Sequence, residues 1–212
     1  MIPILISSDF LQMPALINEC IEYVAKHLQE VVRLPLDMNC LNAQLLKKLA
    51  TKITVRLIHP KLTHLQIEDL DGVRDKKDRL QSKLFMKKLE ILFEDEANIL
   101  NRCIYCNKLF TNAQREWMIC PRAKIFIDFR GRVIAQHVSD RSWDINEFVT
   151  YLRKVGVNWK SVYWKIWGRL VEYECTSCET RFTAAEFQHC SYHPQQPKFP
   201  FGSNHGKYPC CE

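Results

Sequence analysis

The chain has 212 residues, of which 47% are hydrophobic and 25% are charged, and its formal net charge is +6. This composition is sufficient for a substantial core, in one domain or two smaller ones, and it argues against a disordered or low-complexity chain. No apolar run approaches the ~20 residues that a membrane-spanning helix needs, and the first residues lack the basic start of a signal peptide. We therefore expect an intracellular protein with no membrane partner.

The ten cysteines are unevenly distributed, since only Cys20 and Cys40 lie before residue 100. Thiols are kept reduced inside cells, and a disulfide-rich secreted domain would be shorter, with cysteines scattered throughout. We therefore expect the later cysteines to bind metal or to be buried thiols. Cys20 lies on an apolar helical stripe and is expected to be a small buried side chain.

The first hundred residues predict helices. Apolar residues at helical spacing and proline or glycine breaks predict two helices within residues 2–33, separated at Met13-Pro14, then helices over 39–59 and 74–93, with a short helix or turn at 62–70. The lysines of these helices are interleaved with acidic residues, which is typical of a solvated face.

From residue 100 the pattern becomes mixed. Two apolar stretches, 125–129 and 133–137, flank Arg130-Gly131-Arg132 and predict a β-hairpin. Asp144 is the expected N-cap of a helix that ends at Gly156, and a second helix is predicted from Trp159 until Gly168. Its tryptophans are expected to be apolar anchors of the core. A strand over 170–174 follows, and His137, at a strand end, is expected to be a surface residue outside any metal site.

Four pairs of candidate metal ligands follow residue 100. Two are Cys-x-x-Cys turns, here called knuckles, and their sequences are alike: Cys103-Ile-Tyr-Cys106 and Cys175-Thr-Ser-Cys178, each followed after three further residues by Phe-Thr. Zinc takes four tetrahedral ligands, and a knuckle supplies two of them. Two zinc ions are therefore expected, and the predicted ligands are Cys103, Cys106, Cys175, Cys178, Cys190, His193, Cys210 and Cys211, with Cys120 as a less certain ninth.

Sequence alone leaves the pairing of these ligands open. Our preferred pairing joins the two similar knuckles in a four-cysteine site and joins Cys190 and His193 to Cys210 and Cys211. A competing pairing joins the second knuckle to Cys190 and His193, and leaves the first knuckle to combine with Cys120 or with the adjacent Cys-Cys pair. Adjacent cysteines seldom both bind one ion, so Cys210 and Cys211 can also be divided between sites, or one of them can be a buried thiol.

Positive charge is concentrated in the same half of the chain. Residues 1–100 contain 14 Lys or Arg and 14 Asp or Glu, whereas residues 101–212 contain 16 and 10. Such an excess is typical of nucleic-acid-binding domains. Cysteines bound to zinc are negatively charged thiolates, however. One four-cysteine zinc site and one site of three cysteines and a histidine would together reduce the net charge of the chain to about +3. The basic excess is then ordinary for a folded domain.

Residues 4–28 resemble the closing helices of a BTB (POZ) domain. The resemblance is carried by Phe10-Leu11-Gln12-Met13, Cys20-Ile21 and Tyr23-Val24-x-x-His27-Leu28, which follow the usual rhythm of that family. The strands and helices that begin a BTB domain are absent from this sequence. The resemblance implies a fragment or a truncated domain, whose helices would expose the face that normally packs on the missing part.

The tail is similar to a CHORD zinc module. Cys175-x-x-Cys178-x-x-x-Phe182, Cys190-x-Tyr192-His193-Pro194 and Tyr208-x-Cys210-Cys211 follow the order of that family. The chain departs from it by lacking the closing Cys and His, which leaves a second site of CHORD type incomplete.

Nearly the whole chain resembles the family of the SANT and BTB domain regulator of class switch recombination. The residues that carry this resemblance include 39–43, 82–85, Val162-Tyr163-Trp164-x-x-Trp167-Gly168, 186–193 and Tyr208-Pro209-Cys210-Cys211. The resemblance implies a nuclear or nucleocytoplasmic regulator that acts through protein contacts, with corepressors among its partners. It also implies homodimers through the BTB domain in a full-length chain.

These observations predict an α+β fold with a helical N-terminal half and a mixed α/β, zinc-binding C-terminal half. We expect the end of a BTB domain at 1–35, a helical linker region at 36–97 and the zinc-binding domain at 98–212. The acidic run at residues 94–96 marks the boundary between the two halves.

The leading functional hypothesis is a non-catalytic protein-interaction module stabilised by structural zinc. The alternative is a nucleic-acid-binding zinc domain, in which Arg122, Lys124, Arg130 and Arg132 would contact the ligand. The sequence lacks the finger helix of a two-Cys, two-His reader and the aromatic repeat of a single-strand binder, so nucleic acid is the less favoured partner. A zinc hydrolase would need an open metal position and a base such as Glu174 or Glu186, and so many thiolates favour a closed site instead.

Overall fold

The computed structural model describes residues 1–33, 38–53, 79–131, 133–187, 198–201, 206–207 and 209. It confirms the predicted α+β fold with a helical N-terminal half. The helices are α1 (Ile2–Phe10), α2 (Pro14–Lys26), α3 (Leu28–Arg33), α4 (Ala43–Lys52), α5 (Arg79–Phe93), α6 (Ile145–Lys154) and α7 (Trp159–Leu170). The predicted segment 62–70 and parts of the helices predicted at 39–59 and 74–93 lie outside the described residues.

The predicted break at Met13-Pro14 is confirmed, but residues 2–33 form three helices and not the predicted two, because α2 ends before His27 and α3 begins at Leu28. Pro14 occupies the first turn of α2, where its missing N–H costs no hydrogen bond, and Gln12 turns the chain with a φ of 55°. Cys20 is buried on the inner face of α2, as predicted. The Asn42 side chain caps α4 by accepting a hydrogen bond from the Leu45 N–H at 2.8 Å.

One apolar core joins the helical half to the last two helices. On α5, Leu84 and Phe85 are fully buried, and α5 packs against both α4 and α7. The Phe85 ring lies 5.5 Å from the ring of Tyr163 on α7, measured between centroids. Burial raises the pKa of the Tyr163 hydroxyl to about 12. The tryptophans of α7 pack against this core, which confirms their predicted role as anchors.

The ends of α6 and α7 follow local signals only in part. The Asp144 carboxylate accepts hydrogen bonds from the N–H groups of Asn146 and Glu147, and Gly156 follows α6 with a φ of 88°, both as predicted. The predicted end of α7 at Gly168 is wrong, because the helix continues to Leu170. A Cβ atom at Gly168 would lie 3.3 Å from the Ala185 Cβ, so this glycine allows a close approach of two segments.

Three short antiparallel hairpins complete the described fold. They pair β1 (Leu100–Arg102) with β2 (Leu109–Thr111), β3 (Phe126–Ile127) with β4 (Val133–Ile134), and β5 (Glu172–Glu174) with β6 (Arg181–Thr183). The first and last hairpins have the same register, with Leu100 opposite Thr111 and Glu172 opposite Thr183. Both hairpins contact α7.

None of the helices in the described part of the chain is long and apolar enough to cross a bilayer.

Candidate metal centre

The first knuckle is the turn of the β1–β2 hairpin. The Cys103 N–H donates to the Lys108 carbonyl at 2.9 Å, and the Asn107 N–H donates to the Cys103 carbonyl at 2.9 Å. Asn107 has a φ of 61°, a left-handed conformation that asparagine tolerates better than most residues. This tight turn aims the thiols of Cys103 and Cys106 toward the same side.

Cys120 reaches the knuckle through a short 3₁₀ helix, Gln114–Glu116, that follows β2. The Gln114 side chain is fully buried: its carbonyl oxygen accepts from the Thr111 N–H at 3.0 Å, and its amide donates to the Arg169 carbonyl at 2.8 Å. The Cys120 N–H then donates to the Ala135 carbonyl at 2.6 Å. This bond joins the two ends of the segment that carries the β3–β4 hairpin.

His137 is placed by a short backbone ladder beside the knuckle. The Ile104 N–H donates to the Val138 carbonyl at 3.0 Å, and the Asp140 N–H donates to the Arg102 carbonyl at 2.8 Å. The ladder is reinforced by an ion pair between Arg102 and Asp140 at 2.6 Å. Hydrogen bonds from Ser142, and to a smaller extent from Arg102, lower the pKa of the Asp140 carboxyl to about 2.

Cys103, Cys106, Cys120 and His137 form a compact cluster. Their ligand atoms all lie within 4.8 Å of one another, and three of the four residues are fully buried, with Cys106 half-buried. The Sγ atoms of Cys103 and Cys120 are 3.8 Å apart, and the Cys106 Sγ lies 3.4 Å from the His137 Nδ1. These four residues could hold one metal ion.

The spacing of the donor atoms fits a tetrahedral ion. With Zn–S bonds of about 2.3 Å and Zn–N bonds of about 2.0–2.1 Å, tetrahedral angles place two sulfurs about 3.8 Å apart and a sulfur and a nitrogen about 3.6 Å apart. The observed separations of 3.8 Å and 3.4 Å are close to both values. A disulfide is excluded because its sulfurs would lie about 2.05 Å apart.

His137 is buried without the usual partners of a structural histidine. Its ring stacks on Phe110 at 5.1 Å between centroids, and within the described residues its Nε2 has no hydrogen-bond partner. A buried polar group without a partner costs about 1–3 kcal/mol, so packing alone does not explain this burial. Coordination of a metal ion through Nδ1, the nitrogen that faces Cys106, would give His137 a binding role in the cluster, while Nε2 would stay without a partner among the described residues.

The pKa values of the two knuckle thiols shift in opposite directions. Burial disfavours the Cys103 thiolate, but hydrogen bonds from the Cys106 backbone and the His137 ring outweigh it and lower the pKa of this thiol to about 6. Burial raises the pKa of the Cys106 thiol to about 11. A bound divalent cation would deprotonate all the coordinating thiols, so metal binding would release protons from the site.

The second knuckle has the backbone geometry of the first. The Cys175 N–H donates to the Thr180 carbonyl at 3.0 Å, the Glu179 N–H donates to the Cys175 carbonyl at 2.8 Å, and Glu179 has a φ of 55°. Each of these features has its counterpart 72 residues earlier, at Cys103, Asn107 and Lys108. Cys175 and Cys178 are half-buried. The likeness of the two sequences thus extends to their structure.

The two knuckle hairpins are tied together at the end of α7. Glu186, in the 3₁₀ helix after β6, forms ion pairs with Lys108 of the first hairpin and, at 3.7 Å, with Arg169 of α7. Burial raises the pKa of the Glu186 carboxyl, but the hydrogen bonds from Lys108 and Thr183 and the charges of Lys108 and Arg169 together outweigh it, so the net shift is downward. Glu186 and Glu174 therefore both serve as ion-pair partners, the latter with Arg181.

Two of the expectations for these ligands are wrong. The preferred pairing of the two knuckles in one site fails, because the first knuckle shares its cluster with Cys120 and His137 and not with Cys175 or Cys178. His137 was expected at the surface and is fully buried. The structure instead shows the part of the competing pairing that combines Cys103 and Cys106 with Cys120.

The other predicted site residues lie outside the described residues or outside the cluster. Cys190, His193, Cys210 and Cys211 lie outside the described residues, as does Arg132. Arg122, Lys124 and Arg130 are exposed around the β3–β4 hairpin. The sequence predicted this hairpin, but not its consequence: a hairpin that lies between Cys120 and His137 brings those two residues close together.

No protein-family model matches the chain, and no solved structure matches it at a significant level. The class of protein is therefore defined by the described fold and by the cluster of candidate ligands. It is an α+β protein with a buried cluster of three cysteines and one histidine that could hold one metal ion.

Proposed function

We propose that this chain is a non-catalytic interaction module in which structural zinc stabilises the C-terminal half. The observation that carries the proposal is the closed donor set of Cys103, Cys106, Cys120 and His137. Zinc favours tetrahedral sites of thiolate and imidazole, and structural sites use four protein ligands, whereas catalytic sites keep one position for water or substrate. Three thiolates and an imidazole leave no such position.

The carboxylates near the knuckles support the non-catalytic assignment. A zinc hydrolase needs a general base within reach of metal-bound water. Glu186 is held by Lys108 and Arg169, and Glu174 by Arg181, so both candidate bases are occupied by cations. Neither belongs to the cluster that could hold the metal.

A second zinc ion is proposed at the knuckle of Cys175 and Cys178. Its support is the backbone geometry shared with the first knuckle, which already has a complete set of ligands. The remaining ligands would come from the pairs predicted by sequence, Cys190 with His193 or Cys210 with Cys211.

The partners of the module are proposed to be proteins. The resemblance to the class switch recombination regulator suggests corepressors, self-association through a BTB domain in a longer chain, and a nuclear or cytoplasmic location. Exposed apolar side chains support a contact surface on the helical half: Phe10, Leu11 and Met13, at the junction of α1 and α2, are all exposed. Scattered apolar residues are ordinary on a surface, but a cluster indicates an interaction site.

Metal analysis of the purified, zinc-replete chain tests this proposal. We expect two zinc ions per chain, one for the Cys175→Ser/Cys178→Ser variant, and two for Cys40→Ser, a control that changes an exposed cysteine of the helical half. Less than one zinc per chain in the unaltered protein would contradict the zinc-stabilised module. One zinc per chain that persists in the double variant would contradict only the second site.

A further inference from the structure

The segment between Cys120 and His137 projects an apolar and basic hairpin from the metal centre. We define the hairpin arm as residues 122–131 and 133–134, which include β3 and β4. The arm is fixed at its base, because Cys120 and His137 both belong to the cluster and the Cys120 N–H bonds the Ala135 carbonyl. A rigid base reduces the entropy lost when the arm binds a ligand.

Aromatic and aliphatic side chains of the arm are exposed to solvent. Phe129, in the turn, is 92% exposed, and Phe126, on β3, is 62% exposed. Ile125 and Ile127, on either side of Phe126, are also exposed, so both faces of this strand are apolar and open. None of these four residues belongs to the two apolar cores of the described structure. Burial in the fold therefore does not account for them.

The charge of this segment is strongly positive. Residues 117–139 contain four basic residues, Arg122, Lys124, Arg130 and Arg132, and one acidic residue, Asp128. The Asp128 carboxylate accepts a hydrogen bond from the Arg130 N–H at 2.8 Å, which shapes the turn. The Arg130 guanidinium lies 5.1 Å from the centroid of the Phe129 ring. Within the described residues, Arg122, Lys124 and Arg130 form no ion pair with an acidic side chain.

We propose that the hairpin arm binds single-stranded nucleic acid. Proteins that bind single strands combine basic groups that follow the phosphates with aromatic rings on which bases stack, and Arg adds a cation–π contribution. Phe126 and Phe129 supply the rings, Arg122, Lys124 and Arg130 supply the charge, and the flanking isoleucines extend the apolar surface. The sequence had not indicated these exposed rings, because a hairpin normally buries one of its faces.

The size of the arm favours this ligand over an acidic protein. A stable protein interface buries about 800 Å² on each partner, and the addition of a partner strand requires a ladder of several hydrogen bonds. β3 and β4 are each two residues long, so they offer little edge for pairing. A few stacking rings and basic groups suffice for a single strand. The arm depends on the proposed metal site only for its rigidity.

The test is fluorescence anisotropy of labelled oligo(dT), about 12 nucleotides long, titrated with the zinc-loaded full chain. If three basic residues neutralise phosphates, the logarithm of the binding constant should fall with the logarithm of salt concentration with a slope of about −2. Phe126→Ala and Phe129→Ala should each weaken binding about 5- to 100-fold without changing that slope. Arg130→Gln should reduce the slope by about 0.7.

Matched controls lie on α6, which is not part of the arm. Tyr151→Ala removes an aromatic ring that is 59% exposed, and Lys154→Gln removes an exposed charge; neither should change binding by more than about twofold. The proposal is overturned if oligo(dT) does not bind at about 50 mM salt, if the Phe variants match Tyr151→Ala, or if polyglutamate or a duplex competes as well as unlabelled oligo(dT). Zinc content measured on the same samples separates this failure from failure of the metal site.

Discussion

Replacement of Cys120 by serine is expected to remove the zinc ion of the first site and to destabilise the segment from β1 to Asp140. Serine is nearly isosteric with cysteine but does not supply a thiolate, so the site keeps only three of its four ligands. Structural zinc sites contribute about 10–16 kcal/mol of apparent binding free energy, much of which is folding free energy. We expect one zinc fewer per chain and faster hydrogen exchange in the backbone amides of this segment.

Two His137 variants separate the role of the ligand from that of the side-chain volume. His137→Leu keeps an apolar side chain in the buried position and should lose the ion, whereas His137→Cys should retain it as a four-cysteine site. Cys40→Ser is the control that should change neither zinc content nor exchange. Retention of the full zinc content by Cys120→Ser or His137→Leu would contradict the assignment of these ligands.

Replacement of Phe85 by alanine is expected to destabilise the chain by about 3–5 kcal/mol, because it removes a fully buried ring and leaves a cavity between α4, α5 and α7. For a chain of this size the loss corresponds to a fall in Tm of roughly 6–20 °C. Since Tyr163 contacts this ring from α7, the helical half and the zinc-binding half should lose stability together. Denaturant unfolding followed by far-UV circular dichroism and by tryptophan fluorescence measures both.

Phe10→Ala is the matched control for the Phe85 variant, since Phe10 is 85% exposed on α1, and it should change the free energy of unfolding by less than about 0.5 kcal/mol. If Phe85→Ala shifted only the circular dichroism and left the fluorescence transition unchanged, the two halves would unfold independently. That result would contradict the shared core and would favour the sequence-based boundary near residue 97, which stays a prediction.

Local patterns predicted α6 well because the information lies within one turn or one stripe. Asp144 caps α6 and Gly156 ends it through bonds that span a few residues. Gly168 gave a wrong prediction for the end of α7, because a glycine near a helix end can either end the helix or allow another segment to pack closely. Here it allows Ala185 to approach, an effect of tertiary packing that periodicity does not contain.

The candidate site was predictable as to its chemistry but not as to its ligand set. Both knuckles have the same local sequence and the same backbone bonds, so nothing local distinguishes which further ligands each one meets. Cys120 and His137 reach the first knuckle through a hairpin and a three-residue ladder that span long stretches of sequence. His137 in particular carries no adjacent cysteine or histidine that would mark it as a ligand.

X-ray absorption at the zinc K-edge of the Cys175→Ser/Cys178→Ser variant tests the central claim most directly, because this variant leaves the first site as the expected source of the signal. We predict three sulfur ligands at about 2.3 Å and one nitrogen ligand at about 2.0–2.1 Å, with the scattering pattern of an imidazole ring. A shell of four sulfurs, or one dominated by oxygen and nitrogen, would contradict a zinc ion held by Cys103, Cys106, Cys120 and His137.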